Sequence, residues 1–113
     1  MIKQLACKDI KEYLKSDTKK ILLDVRTQEE WSDSGKPDGE KLGIKTYFLT
    51  VKDENFFDDF KKLSISQDYE ILSICKSGAR SQFVSELLEK ENYKSVNILD
   101  GFDGWEICNL PRL

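Results

Sequence analysis

The segment EILSICKSGARS, residues 70–81, contains the features that decide the fold. Its residues 71–74 form a short, mainly apolar run, which is typical of a strand buried in a parallel sheet. Residues 75–79 are small or cationic, and a helical pattern begins near Arg80. A strand that leads through a short loop into a helix indicates an α/β protein. We therefore expect Cys75 at the carboxyl end of a buried strand.

The rest of the chain alternates between the same two patterns, which predicts an α/β domain with a largely parallel sheet. A length of 113 residues suits one compact domain, so we expect a single domain over residues 1–113. The predicted strands are 2–5, 21–25, 45–51, 70–75 and 96–99; the predicted helices are 7–15, 27–31, 56–63 and 80–93; residues 32–43 are predicted to form a loop.

The overall charge argues against several classes of function. There are 21 acidic and 18 basic residues, giving a net charge of −3, and the two signs are well mixed along the chain. A nucleic-acid-binding protein needs a basic face, which this composition does not offer. No apolar run approaches the roughly 20 residues of a membrane helix. We expect a soluble, cytoplasmic protein with neither nucleic acid nor membrane as a partner.

The cysteines and the absence of histidine restrict the chemistry. Cys7, Cys75 and Cys108 are widely spaced and odd in number, so we predict no disulfide framework and interpret Cys7 and Cys108 as buried apolar residues. A chain without histidine has no Cys–His protease mechanism. A structural zinc site also needs ligands closer in sequence. We therefore expect neither metal nor cofactor.

Cys75 is the candidate nucleophile. A loop that curls into a helix turns successive backbone N–H groups inward, and Gly78 permits such a turn. Together with Lys76 and Arg80, these groups should lower the thiol pKa, so that thiolate exists at neutral pH without a histidine base. The alternative is that Cys75 is a small buried hydrophobe, as most strand cysteines are. The composition of the loop favours the reactive thiol.

Three stretches resemble the motifs of rhodanese-like domains. Asp24-Val25-Arg26 with Glu29-Glu30-Trp31 is similar to their first signature, and Cys75 to Ser81 resembles their CxSGxRS active-site loop. Leu99 to Trp105, followed by Asn109-Leu110-Pro111, is similar to their closing segment. The stretches occur in the family's order and span nearly the whole chain. One departure is Gly35-Lys36-Pro37-Asp38-Gly39, which replaces a segment that often borders the active site in the family.

The resemblance implies a five-stranded, mainly parallel sheet with helices on both faces, and ping-pong sulfur transfer through a Cys75 persulfide. The donor would be thiosulfate, mercaptopyruvate or a protein persulfide, and the acceptor a thiol or cyanide. Asp24 and Arg26 are expected to make structural contacts near the site, with Glu29 or Glu30 as partner. The expected binding loop consists of Lys76, Ser77, Gly78, Ala79, Arg80 and Ser81.

Other functions remain open at the level of sequence. A cysteine phosphatase or arsenate reductase also surrounds a thiolate with amides, but its signature has five residues between cysteine and arginine, whereas four separate Cys75 from Arg80. A catalytically silent module for protein binding is a second alternative, although silent members typically lack the cysteine. A third is persulfide relay to one protein acceptor.

Overall fold

The computed structural model describes residues 1–52 and 55–113 of the chain. Strands and helices alternate along it, as the sequence patterns predict. The strands are β1 Lys3–Leu5, β2 Lys20–Asp24, β3 Lys45–Phe48, β4 Glu70–Ile74 and β5 Lys94–Ile98; the α-helices are α1 Ile10–Tyr13, α2 Gln28–Ser34, α3 Phe56–Lys61, α4 Ala79–Lys90 and α5 Gly101–Ile107; short 3-10 helices cover Cys7–Asp9 and Gly39–Leu42.

The five strands form one sheet in the order β1-β5-β4-β2-β3, and every neighbouring pair is parallel. The central strands β2 and β4 are almost completely buried, because helices cover both faces of the sheet. Asp24 and Ile74 are register partners at the ends of these strands. All carboxyl ends of the strands lie at one edge, where ligand sites form in open α/β sheets.

Alternate residues along each strand enter two separate hydrophobic cores. On one face, Leu72 and Ile74 pack with Phe102 and Trp105 of α5. On the other face, Ile71 and Cys75 pack with apolar residues of α3 and α4, among them Phe60. The aromatic residues of α3 therefore belong to the core, as expected from their helical spacing. Cys75 lies on the α4 side of the sheet.

Most predicted elements differ from the structure by up to three residues at their ends, and the structure makes two larger corrections. Residues 32–43 are not a continuous loop, because α2 extends to Ser34 and a 3-10 turn covers Gly39–Leu42. Helix α5 was not predicted at all. Its two glycines, Gly101 and Gly104, are poor helix formers, and they obscure the spacing of its buried aromatic residues. Both glycines are needed for close packing: a Cβ at Gly101 would collide with the Lys76 carbonyl group.

Cys7 and Cys108 form a disulfide, so the prediction of no disulfide was wrong. Strand β1 lies beside β5, and this pairing brings the two ends of the chain together across 101 residues of sequence. Three cysteines can form one disulfide and still leave one free thiol, and that free thiol is Cys75. Cys7 and Cys108 lie in the core that contains α5, on the face of the sheet away from Cys75. Neither is placed to resolve a disulfide with it.

Across residues 1–52 and 55–113, no helix has the length and apolar character that crossing a membrane requires.

We expect replacement of both Cys7 and Cys108 by serine to destabilise the protein. The disulfide closes almost the entire chain, and cross-links of this kind typically contribute about 2–4 kcal/mol by restricting the unfolded chain. Calorimetry of the oxidised protein should therefore show a melting temperature roughly 10 °C lower in the double variant. Cys75→Ser serves as the control that leaves the disulfide intact. Equal melting temperatures, or three titratable thiols in the oxidised native protein, would contradict this assignment.

Candidate active site

The candidate site is the loop between β4 and α4, at the carboxyl edge of the sheet. Gly78 adopts a φ of 102°, in the left-handed region that glycine favours, and α4 begins at the next residue. A Cβ on Gly78 would collide with the carbonyl oxygen of Leu99. Both the backbone conformation and the close approach therefore require glycine there, as the sequence indicated.

The first turn of α5 holds the loop from the outside. The N–H of Phe102 donates to the Cys75 carbonyl oxygen at 2.7 Å, and the N–H of Asp103 donates to that of Lys76 at 3.1 Å. Because these carbonyl groups are turned toward α5, the N–H groups that follow in the chain can face the sulfur of Cys75.

The sulfur of Cys75 lies among hydrogen-bond donors. The backbone N–H of Gly78 donates to Sγ at 3.1 Å and that of Ser81 at 3.3 Å. The Ser81 hydroxyl lies 3.3 Å from the same sulfur, and either group can be the donor in that contact. The Cys75 side chain is only 1% exposed, so these groups replace the water that would otherwise solvate a thiolate.

The pKa of the Cys75 thiol is lowered from its ordinary value. Burial is the largest influence and raises the pKa, because it disfavours the charged form. The opposing hydrogen bonds come from the Ser81 hydroxyl and from the backbone N–H groups of Ser81, Gly78 and Ser77, and together they outweigh burial. A buried cysteine without such donors would be inert.

The cations of the loop contribute less than the sequence predicted. Lys76 and Ser77 are exposed, and the Lys76 ammonium forms an ion pair with Asp103 at 3.1 Å. The Arg80 guanidinium binds both carboxylate oxygens of Glu30, at 2.7 and 2.8 Å. Since each cation already has a counter-charge, the thiolate depends mainly on backbone N–H groups and Ser81.

The Arg80–Glu30 pair connects α4 to α2. Glu30 also completes a capping box at the start of the predicted helix: the Glu30 N–H donates to the Thr27 hydroxyl at 3.2 Å, and the Thr27 N–H donates to Glu30 Oε1 at 3.1 Å. The hydrogen bond from Arg80 is the main reason that the pKa of Glu30 falls to about 2. Arg80 therefore anchors the helix that follows the loop.

Asp24 and Arg26 make structural contacts, but not with the expected partner. They pair with each other, at 2.9 Å between Arg26 Nη2 and Asp24 Oδ2, whereas Glu30 binds Arg80 instead of either of them. Arg26 also donates to the Gly35 carbonyl oxygen and lies 4.1 Å from the centre of the Phe102 ring. The pair thus supports the helix end that holds the Cys75 carbonyl.

Sequence reasoning missed Asn97 on β5. Its side-chain Oδ1 accepts a hydrogen bond from the Ser81 hydroxyl at 2.5 Å, and its side chain is almost completely buried. The available signal was a polar residue between the apolar Val96 and Ile98, in the buried half of the strand. Within the described part of the chain, no group of three or more potential metal-ligating side chains lies together.

Comparison with known proteins places this chain in a family. The chain matches the family model described as "Rhodanese-like domain" over residues 7–108. A Bacillus subtilis protein named "Putative sulfurtransferase YtwF" is 30% identical over 111 residues, covering 98% of this chain and 97% of that protein. The Rickettsia prowazekii protein RP600 is 37% identical over 100 residues, covering 80% of each.

Two solved structures extend the comparison to the fold. Rv0390 from M. tuberculosis matches with a TM-score of 0.80 and 25% identity, over 96% of this chain and 94% of that one. The polysulfide-sulfur transferase from Wolinella succinogenes matches with a TM-score of 0.79 and 23% identity, over 99% of this chain and 78% of that one. The second likeness concerns the fold alone.

We expect Cys75 to titrate below a model thiol when its alkylation by iodoacetamide is followed across pH with peptide mapping of the reduced, digested protein. The hydrogen bonds from Ser81 and Gly78 stabilise the thiolate more than burial destabilises it. Burial will slow the reaction at every pH, but the inflection reports ionisation. Lys76→Ala should leave the inflection nearly unchanged, because Asp103 already pairs with that cation. An inflection at or above that of a model thiol would disprove the activation.

Proposed function

We propose a function for this chain, which belongs to the rhodanese-like domain family; the family model covers residues 7–108. The proposed function is sulfur transfer, in which Cys75 carries the transferred sulfur as a persulfide. The observation that carries the proposal is the convergence of the Gly78 and Ser81 N–H groups on the Cys75 sulfur, at 3.1 and 3.3 Å. A relative similar over nearly its full length bears a sulfurtransferase name, which supports the same conclusion.

In the first half-reaction, the Cys75 thiolate attacks the outer sulfur of a sulfane donor. With thiosulfate, a new S–S bond forms to Cys75, the S–S bond of the donor breaks, and sulfite leaves with the electron pair. No proton needs to move, so the chemistry is compatible with a site that has no histidine. A protein persulfide would give up its outer sulfur in the same way, and its own thiolate would leave. Mercaptopyruvate would instead break its C–S bond and leave as the pyruvate enolate, which takes a proton from water.

In the second half-reaction, an acceptor attacks the outer sulfur of the persulfide. A thiolate acceptor becomes a persulfide and cyanide becomes thiocyanate, while the electron pair of the broken S–S bond returns to Cys75. The N–H groups of Gly78 and Ser81 then stabilise the departing thiolate, as preorganised donors do for charge that develops in a transition state.

Lys76 is the cation that can meet an anionic donor. Its ion pair with Asp103 is exposed, and such pairs contribute little stability, so a donor can compete for the ammonium group. Arg80 is different, because both terminal nitrogens of its guanidinium already bind Glu30. We therefore assign donor attraction to Lys76 and an anchoring role to Arg80.

The cellular setting remains a prediction. We propose a cytoplasmic location, where glutathione and thioredoxin keep most thiols reduced, so the Cys7–Cys108 disulfide would exchange with its dithiol form. Thiol trapping in lysates of cells that express the protein, combined with fractionation, would test both statements.

Treatment with thiosulfate or mercaptopyruvate should add the mass of one sulfur atom to the protein, and cyanide should remove it. Cys75→Ser should lose both the adduct and turnover, because Cys75 is the only free thiol among the described residues. The double variant Cys7→Ser, Cys108→Ser is the matched control and should retain both. Intact-mass analysis decides the matter. Sulfur transfer by Cys75→Ser at the parent rate would overturn the proposal.

The spacing of the loop also predicts what the protein does not do. Four residues separate Cys75 from Arg80, and the Gly78 and Ser81 N–H groups already contact the sulfur, so no ring of amides is left for a phosphoryl group. We expect no measurable hydrolysis of an aryl phosphate under conditions where thiosulfate turnover is detected. Efficient phosphatase activity without any trapped persulfide would favour the phosphatase alternative instead.

A further inference from the structure

The Ser81 hydroxyl has one proton and three neighbouring acceptors. Its oxygen lies 3.3 Å from the Cys75 sulfur, 3.3 Å from the Gly78 carbonyl oxygen and 2.5 Å from Asn97 Oδ1. The shortest contact takes the proton, so the hydroxyl donates to Asn97. It can then only accept a hydrogen bond from Cys75, which favours the neutral S–H form.

Asn97 is itself part of a chain that leads to the surface. Its side-chain amide donates to Gln4 Oε1 at 2.8 Å and to the Gly78 carbonyl oxygen at 3.3 Å. The Gln4 amide donates in turn to Gln82 Oε1 at 2.6 Å, and the Gln82 amide donates to Glu86. A continuous row of hydrogen bonds thus joins the buried thiol to an exposed position on α4.

This row can reverse its direction. A side-chain amide has a donor and an acceptor at the same end, so a half-turn exchanges the two. With Asn97, Gln4 and Gln82 all turned, the Asn97 amide donates to the Ser81 oxygen, and the Ser81 hydroxyl becomes free to donate to Cys75. Gln82 has to turn as well, because Gln4 Oε1 would otherwise face Gln82 Oε1; the exposed Glu86 carboxylate at the end of the row is then solvated by water. The Gly78 carbonyl oxygen still accepts the backbone N–H of Gln82 at 3.1 Å, so no buried acceptor is abandoned.

We propose that Asn97 is a positioning residue for sulfur transfer: it directs the Ser81 hydroxyl toward itself when Cys75 is a thiol and toward Cys75 when the sulfur is a thiolate. The proposal rests on the proposed function, because the negative charge moves from Cys75 Sγ to the outer sulfur when the persulfide forms and returns to Sγ when the acceptor takes that sulfur. Hydrogen bonds to a charged atom are stronger than neutral ones. In the turned row, the Asn97 amide donates to the Ser81 oxygen and polarises the Ser81 hydroxyl that donates to the charged sulfur, so Asn97 supports the thiolate more than the thiol.

Charged groups from the surrounding elements also face this region. They are the pairs Lys76–Asp103, Arg80–Glu30 and Asp24–Arg26, and each cation lies within 3.1 Å of its counter-charge. Nearer the surface, Glu86 accepts from Gln82. Variants of Asn97 and Ser81 leave all of these groups in place, so a change in the titration of Cys75 reports on the row of hydrogen bonds itself.

The native protein provides the first test. In a pH titration followed by NMR, the side-chain amide signals of Asn97 should shift with a midpoint equal to the alkylation inflection of Cys75. The shift should be absent in Cys75→Ser, and the exposed Asn92 side chain should show none at that midpoint. Asn97 signals that do not follow the titration of Cys75 in the native protein would overturn the proposal.

A double-mutant cycle tests whether Asn97 acts through Ser81. Asn97→Leu should raise the alkylation inflection of Cys75 by roughly half to one pH unit, and the same substitution in a Ser81→Ala background should raise it no further. Asn97 would be a structural residue if Asn97→Leu shifted the alkylation inflection equally with Ser81 and with Ala at position 81. The same conclusion would follow if Asn97→Leu lowered the stability of the protein and left the inflection unmoved. Gln4→Leu, at an exposed position, removes the next link and should raise the inflection by a smaller amount if Asn97→Leu does not fold.

These measurements do not depend on sulfur transfer. If Cys75 never accepts sulfur but the Asn97 signals follow its ionisation, the proposed function fails, and only the orientation of the Ser81 hydroxyl by Asn97 with the charge on Cys75 stands. If persulfide forms normally while Asn97→Leu leaves the Cys75 inflection unmoved, the inference fails and the function stands.

Discussion

The N–H groups of Gly78 and Ser81 meet at the sulfur of Cys75, and every other feature of the site depends on that arrangement. A thiol that is 1% exposed loses nearly all contact with water, and burial alone would keep it protonated. The fixed donors of the loop replace water and lower the pKa of the thiol. A deeply buried thiol can therefore ionise without histidine, because the N–H groups of the loop take the place of water.

The remainder of the fold keeps the loop in this shape. The first turn of α5 binds the carbonyl groups of Cys75 and Lys76 from outside, and the buried Arg26 side chain supports it through Phe102. The Arg80–Glu30 pair fixes the start of α4 against α2. Most cations near the sulfur are thus committed to partners. Of the two cations in the loop, Lys76 has the exposed ion pair, and in the proposed function it attracts the anionic donor while the loop N–H groups activate the thiol.

The sequence predicted those parts of the molecule that depend on local patterns. The apolar runs located the strands, Thr27 and Glu30 located a helix start, and the glycine between Cys75 and Arg80 indicated the turn. Local patterns do not predict contacts between distant residues, because such contacts follow from the order of the strands, which no local pattern specifies. Three contacts of this kind were not predicted: the Cys7–Cys108 disulfide, the pairing of Arg80 with Glu30 and the position of Asn97 beneath Ser81. Helix α5 was not predicted, because its glycines have low helix propensity; close packing requires glycine at these positions.

The central claim is that the loop amides both ionise Cys75 and hold the sulfur that it accepts. A crystal structure of the protein after exposure to thiosulfate tests this claim most directly. We expect one additional sulfur atom bonded to Cys75 Sγ, within hydrogen-bond distance of the loop N–H groups and with the backbone of residues 75–81 unchanged. An unmodified Cys75, or sulfur found instead on Cys7 or Cys108, would contradict it.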